Sequence, residues 1–192
     1  MIKKIVNLIF EAFHLKHVKH EGVRLVGVQF PDSVAEHSLN AAQIWYILAK
    51  MEWADANKVA AILIRHDIWE TRIWDMHKIW SRYFDNKKEV ENHVVQDQFS
   101  DFDFSDDLFS DLNEYSTRST LEWNIAKDAD YLEMAFQAKI YVEQGYQSAQ
   151  DRIDNVWWAL KTDAAKRVWS EMISHNSTDW RRKEKLMKIP TS

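Results

Sequence analysis

Near the start of the chain, Ile5, Leu8, Ile9, Ala12 and Phe13 fall at the three- and four-residue steps of one helical face, which predicts an amphipathic helix docked on a core. Residues 17–32 break that period. Gly22, Gly27 and Pro31, with Val23, Leu25, Val26 and Val28 between them, suit an extended or irregular connection. Ser33-Val34-Ala35-Glu36 then matches a capping box, in which the serine accepts from the helix's third amide and the glutamate reaches back. That motif places His37 in the first turn of a helix running through Leu39, Ala42, Ile44, Ile47 and Leu48. Asp55 is a suitable cap for a third helix. Its centre, Val59 to Ile64, is apolar almost all round, as in a helix buried inside a bundle, and it ends in His66-Asp67.

A polar helix from Asn86 to about Asp97 precedes an acidic, aromatic stretch, DQFSDFDFSDDLFSD, that reads as a loop. Asp101, Asp103 and Ser105 match the start of a calcium-binding loop. Asp106 stands where the turn needs glycine, however, and Leu112 where the closing glutamate belongs, which argues against calcium there. A long helix is predicted over about 118–144, stopped by Gly145 in the usual left-handed end position, with Asp130 near its middle. Two further helices, about 150–160 and 162–175, carry Val156, Trp157, Leu160, Ala165, Val168, Trp169 and Met172 as packing residues. With three Gly and two Pro in the chain, breaks are few, and the expected class is all-α: a helical bundle with its site between central helices. Residues 1–192 are the size of one domain, with 180–192 expected as a flexible tail.

The chain contains no cysteine, which removes disulfides, zinc-thiolate sites and a thiol nucleophile, so any metal must sit on His, Asp or Glu. A net charge of −5 argues against a nucleic-acid polymer as partner, and the basic RRKEKLMK tail reads as solvated. No apolar run approaches the roughly 18 residues of a membrane span. Without a recognisable signal for export, the cytoplasm is the default location.

His66-Asp67 is the least ordinary feature, because an ionisable pair closing a buried helix must be hydrogen-bonded, paired or bound to metal. Such a pair alone is more often structural. His37 on the preceding helix and Asp130 on the long one add to it a mixed nitrogen and oxygen set suited to Mn, Fe, Co, Zn or Mg. Lys127 and Glu133 lie one turn either side of Asp130, so a salt-bridged helix face explains both; Lys127 also has the alternative of reaching a phosphate. His77 and His93 read as solvated rather than as ligands of a second metal. Ten tryptophans, among them Trp69, Trp74 and Trp80, include candidates for stacking a base, although burial is their commoner fate.

Three segments, PDSVAEHS, IRHDIWE and AKDADYLEMAFQAKIYVEQG, resemble in order the motifs of the HD-domain metal-dependent phosphohydrolases, nearest the branch of 5'-deoxynucleotidases. The resemblance covers about residues 12–145. It implies a helical bundle around one divalent ion held by His37, His66, Asp67 and Asp130, with a nucleotide phosphate as substrate. It also implies Glu70 as the carboxylate that activates water, and Asp75 as the group that protonates or positions the leaving oxygen. Without function, Glu70 is a solvated helix end and Asp75 a helix cap.

The chain also departs from that pattern. Relatives carry an arginine and a tryptophan in the extended segment before the first histidine; here His20 and Val23 take those places, with Arg24 close enough to substitute for the arginine. Trp74 replaces a glycine before Asp75. The substrate contacts expected from the sequence are therefore Arg24, His20 and Lys127. The leading expectation is hydrolysis of a 5'-deoxynucleoside monophosphate. Its alternatives are a di- or triphosphate or unusual nucleotide as substrate, or a non-catalytic module that binds metal and nucleotide. Trp157, Trp158 and the last helices offer a face for a homodimer.

Overall fold

The structure is a computed structural model that describes residues 1–57, 63, 65–103, 105–106, 109–110 and 120–181. Helix α1 (Ile2–Phe13) leads through a 3₁₀ turn (His14–Lys16) into the connection read as irregular from the sequence. That connection contains a second 3₁₀ turn, Glu21–Val26, ended by Gly27 at φ +90°, and it is closed by an antiparallel bridge between Lys19 and Ser33. Helix α2 (Val34–Met51) begins with the predicted capping box: Ser33 Oγ accepts from Glu36 N–H at 3.3 Å, and Glu36 Oε2 accepts from Ser33 N–H at 2.7 Å. After the turns around His66 come two single-turn helices, α3 (Glu70–Ile73) and α4 (Lys78–Ser81), and then α5 (Lys87–Phe99). The bundle is completed by α6 (Leu121–Glu143), α7 (Gln150–Ala159) and α8 (Asp163–Ser174), and no strand is present among the described residues.

The main core lies where α2, α6, α7 and α8 meet. Trp45, Leu48, Trp123, Ile125, Leu132 and Ile153 are buried there with a set of alanines that let the helix axes approach. Gly145, at φ +106°, ends α6 in a Schellman motif: Tyr146 N–H donates to Tyr141 O and Gly145 N–H to Val142 O. A second cluster, Ile68, Val95, Phe99 and Phe102, seats α1 through Ile5, Leu8 and Ala12. Buried Asp128 fixes the α7–α8 corner by accepting from the Lys161 and Thr162 amides and from the Thr162 hydroxyl.

Several apolar positions differ from the sequence reading. Ile9 and Phe13 on α1, and Leu39 and Ile47 on α2, are exposed, because each helix buries a narrower stripe than its composition suggested. On α2 that stripe is Val34, His37, Ser38, Ala41, Ala42, Trp45, Leu48 and Ala49. Of the tryptophan pair on α7, Trp157 packs on Trp169 at 4.9 Å between ring centroids, whereas Trp158 is exposed. The predicted apolar centre Val59–Ile64 falls almost wholly outside the described residues, as do Leu112, Arg118 and the tail from 182; Leu63 is fully buried.

Candidate metal centre

Each member of the predicted cluster is held by a different part of the chain. His37 comes from the first turn of α2, His66 and Asp67 from the turns after Leu63, and Asp130 from the middle of α6. Their donor atoms converge. His66 Nε2 lies 2.9 Å from Asp67 Oδ2 and 4.0 Å from Asp130 Oδ1, and His37 Nε2 lies 3.2 Å from Asp130 Oδ1 and 3.8 Å from Asp67 Oδ2. One ion with bonds of about 2.1 Å places neighbouring ligands roughly 3 to 4 Å apart, so this spacing fits a single centre.

The far side of each imidazole strengthens that fit. His37 Nδ1–H donates to Glu133 Oε2 at 2.6 Å, and His66 Nδ1–H donates to Leu63 O at 2.7 Å. Both rings thereby turn Nε2 toward the carboxylates, and a ligating histidine requires that tautomer. Glu133, read from the sequence as one side of a salt-bridged helix face, is instead buried and orients His37. The signal was available in its spacing: Asp130 and Glu133 are three residues apart on one helix, so a candidate ligand and the group that orients His37 share a face.

Electrostatics follow from this crowding. Burial pushes the Asp130 carboxyl up, but Lys127, His37 and His66 outweigh it and hold the group well below the usual carboxylate range. Burial pushes the His37 pKa down, yet the hydrogen bonds its ring donates to Asp130 and Glu133 raise it well above the ordinary histidine value. The pocket thus favours positive charge at the point the donors share.

Glu70 opens α3 with its amide on Asp67 O at 3.0 Å. Its Oε2 is buried without a hydrogen-bond partner among the described residues, and burial together with the Asp67 and Asp75 charges raises its pKa well above the ordinary value. Asp75 follows Trp74, whose φ of +63° and ψ of 165° belong to a region that essentially only glycine occupies without strain. Asp75 Oδ2 accepts from Glu21 N–H at 2.8 Å, tying this carboxylate to the 3₁₀ turn.

The expected substrate contacts are each engaged. Arg24 Nε pairs with Glu21 at 2.8 Å, His20 Nδ1 lies 3.3 Å from Asp32 Oδ2, and Lys127 Nζ lies 2.6 Å from Asp130 Oδ2. The His20 ring also lies tilted against His37, at 4.4 Å between centroids, bordering the cluster. Trp74 and Trp80 are exposed, while Trp69 packs on the second hydrophobic cluster.

Residues 12–172 match the model of a family described as HD domain. This chain belongs to that family. The HD-domain assignment accords with the three motifs and with the divalent metal that the cluster of His37, His66 and Asp67 suits. No curated protein matches the HD-domain chain. Among solved structures it is similar to a structural-genomics protein, APC5600, at 33% identity over 93% of this chain and 99% of that one, with a TM-score of 0.76. It resembles in fold a predicted metal-dependent phosphohydrolase from Magnetospirillum magnetotacticum MS-1, at 20% identity over 90% and 92% of the two chains and a TM-score of 0.64. It also resembles in fold the cyanophage S-2L HD phosphohydrolase DatZ, bound to dA and one catalytic Zn²⁺ ion, at 13% identity over 92% and 95% and a TM-score of 0.53. None of the described helices is long and apolar enough to cross a membrane.

Proposed function

We propose that this HD-domain chain hydrolyses the phosphate ester of a nucleotide, with a 5'-deoxynucleoside monophosphate as the leading substrate. The observation that carries the reading is the convergence of His37 Nε2, His66 Nε2 and Asp67, with Asp130 Oδ1 facing both imidazoles and both Nδ1 atoms already committed to other partners. In this reading those four side chains hold the divalent ion. When bound, it polarises the phosphoryl group and lowers the pKa of a water. Glu70, a carboxylate held above its ordinary pKa beside Asp67, accepts the proton of the attacking water. Asp75, anchored by the Glu21 amide, gives a proton to the leaving oxygen or fixes its position. The nucleotide class rests on motif resemblance and on the fold shared with DatZ, a protein bound to a nucleoside.

The deciding experiment incubates metal-stripped protein with deoxynucleoside mono-, di- and triphosphates and adds Mn, Co, Mg or Zn in turn, with His66→Ala as control. Expected is metal-dependent release of phosphate from monophosphates, lost in the variant. Release from polyphosphates alone would transfer the activity to that substrate class. Absence of turnover with every metal would overturn the nucleotidase reading.

A further inference from the structure

A phosphomonoester carries close to two negative charges near neutral pH, and this site already gathers Asp67, Asp130, Glu133, Glu70 and Asp75. A substrate anion therefore needs cationic compensation from the chain as well as from a metal. The cations that sequence reasoning nominated are committed: Arg24 to Glu21, His20 to Asp32 and Lys127 to Asp130. Lys87, close enough to lower the Glu70 pKa, is paired with Glu91 at 3.3 Å.

Arg152 differs from all of these. It stands in the first turn of α7, just beyond the last motif and far along the sequence from residue 22, yet its guanidinium lies directly on the backbone of Gly22. A Cβ at Gly22 would collide with Arg152 Nη2 and sit 3.4 Å from Cζ. Gly22 adjoins Glu21, whose amide holds Asp75, and it lies two residues after His20, whose ring covers His37. The 3₁₀ turn Gln147–Ala149, which leads into α7, packs against the turn Glu21–Val26 and brings the arginine there. Arg152 is half-buried and makes no hydrogen bond or ion pair among the described residues. Burial holds its pKa below the ordinary arginine value, while the nearby charges of Asp75 and Asp32 offset part of that cost. A desolvated guanidinium with unused donors, seated beside a candidate leaving-group carboxylate, is a site for an anion.

We infer that Arg152, resting on Gly22, is the substrate's phosphate-binding cation and supplies from α7 the positive charge that the 20–24 segment has committed elsewhere. The inference rests on the phosphohydrolase reading, and it implies that a side chain at position 22 would displace the guanidinium.

The test titrates inorganic phosphate into the metal-loaded protein by calorimetry, alongside monophosphate kinetics, for wild type, Arg152→Ala, Arg152→Lys and Gly22→Ala. Loss of a charge-assisted, two-pronged contact predicts phosphate binding weakened about 10- to 100-fold and KM raised similarly in Arg152→Ala, with metal affinity unchanged. Ethylguanidinium in the buffer should restore part of the loss, and Arg152→Lys should be intermediate. Gly22→Ala, which keeps the arginine but displaces its guanidinium, should weaken phosphate binding in the same direction. Phosphate affinity within twofold of wild type in Arg152→Ala would overturn the inference, and so would a loss that ethylguanidinium fails to rescue. Arg152-dependent phosphate binding without turnover of any nucleotide would sustain the inference and remove the nucleotidase reading. Turnover insensitive to position 152 would do the reverse.

Discussion

Glu133 Oε2 lies 2.6 Å from His37 Nδ1 with both side chains buried, and this contact links α6 to α2 at the edge of the candidate metal centre. It fixes the ring plane and the tautomer of a candidate ligand. Removing such a partner typically lowers metal affinity by about 10- to 100-fold while the ligands themselves remain. Glu133→Ala should show that loss in a metal titration, whereas Glu133→Gln, which keeps an acceptor for Nδ1–H, should retain more of the affinity. Unchanged affinity in Glu133→Ala would mean that His37 is held without it.

Metal removal should also register in stability. Asp67 and Asp130 approach the same two histidines from the 65–69 turns and from α6, so an ion joins segments distant in sequence. Binding to the folded state alone at a hundred times the dissociation constant adds about 2.7 kcal/mol. For a chain of this size that corresponds to about 5 to 10 °C in melting temperature. Chelation should lower the Tm by such an amount and re-addition restore it, with no comparable shift in Asp130→Ala.

Much of this architecture was legible in local chemistry. The capping box at Ser33 and Glu36 placed His37 in the first turn of α2, and Gly145 marked the end of α6, because both signals act within one or two helical turns. Arg152 and Gly22 were not legible. They meet only after α7 folds back beside the 3₁₀ turn, and no period in either segment encodes that approach. The exposed Leu39 and Ile47 show the same limit: periodicity nominates a face, but the neighbouring helix sets how much of it is covered. Glu133 was misread because a charged pair at helical spacing looks alike whether solvent or an imidazole lies beyond it.

Trp53 identifies a position where the sequence opposes the backbone. It follows Glu52, the C-cap of α2, at φ +59°, and Ala54 N–H closes a Schellman bond to Ala49 O at 2.9 Å. Glycine is the usual residue there, whereas a side chain bears a left-handed penalty of about 1 kcal/mol. Because Trp53 is 95% exposed, its indole offers little packing in return. Trp53→Gly should therefore raise the Tm by roughly 2 to 4 °C, and a lower Tm would show that the indole makes a stabilising contact. The comparison at Trp74 is sterner, since that side chain, although exposed, lies edge-on to His14 at 5.8 Å. There Trp74→Gly should be more stable than Trp74→Ala by about 1 kcal/mol, because alanine keeps the strained Cβ.

Acid should act through Asp32, which joins the 3₁₀ segment to α6. Its Oδ1 accepts from the Tyr141 hydroxyl at 2.8 Å, its amide donates to the same oxygen at 3.1 Å, and its Oδ2 lies 3.3 Å from His20 Nδ1. Burial pushes the Asp32 carboxyl up, but His20 and Tyr141 outweigh it and hold the pKa below the ordinary aspartate value. Tyr141, pushed up to about 12 by burial and then by Asp32, keeps its proton and stays a donor throughout the accessible range. A depressed folded pKa means that the unfolded chain binds the proton more readily. The carboxylate thus stabilises the fold fully above about pH 5, and this contribution disappears as pH falls below about 4 toward the folded pKa. Asp32→Asn, which cannot ionise, should be less stable than wild type at pH 7, and the gap should close on acidification. Urea unfolding of both proteins from pH 7 to pH 3 measures it; a gap that persisted unchanged at pH 3 would assign the effect to hydrogen-bond geometry instead of charge.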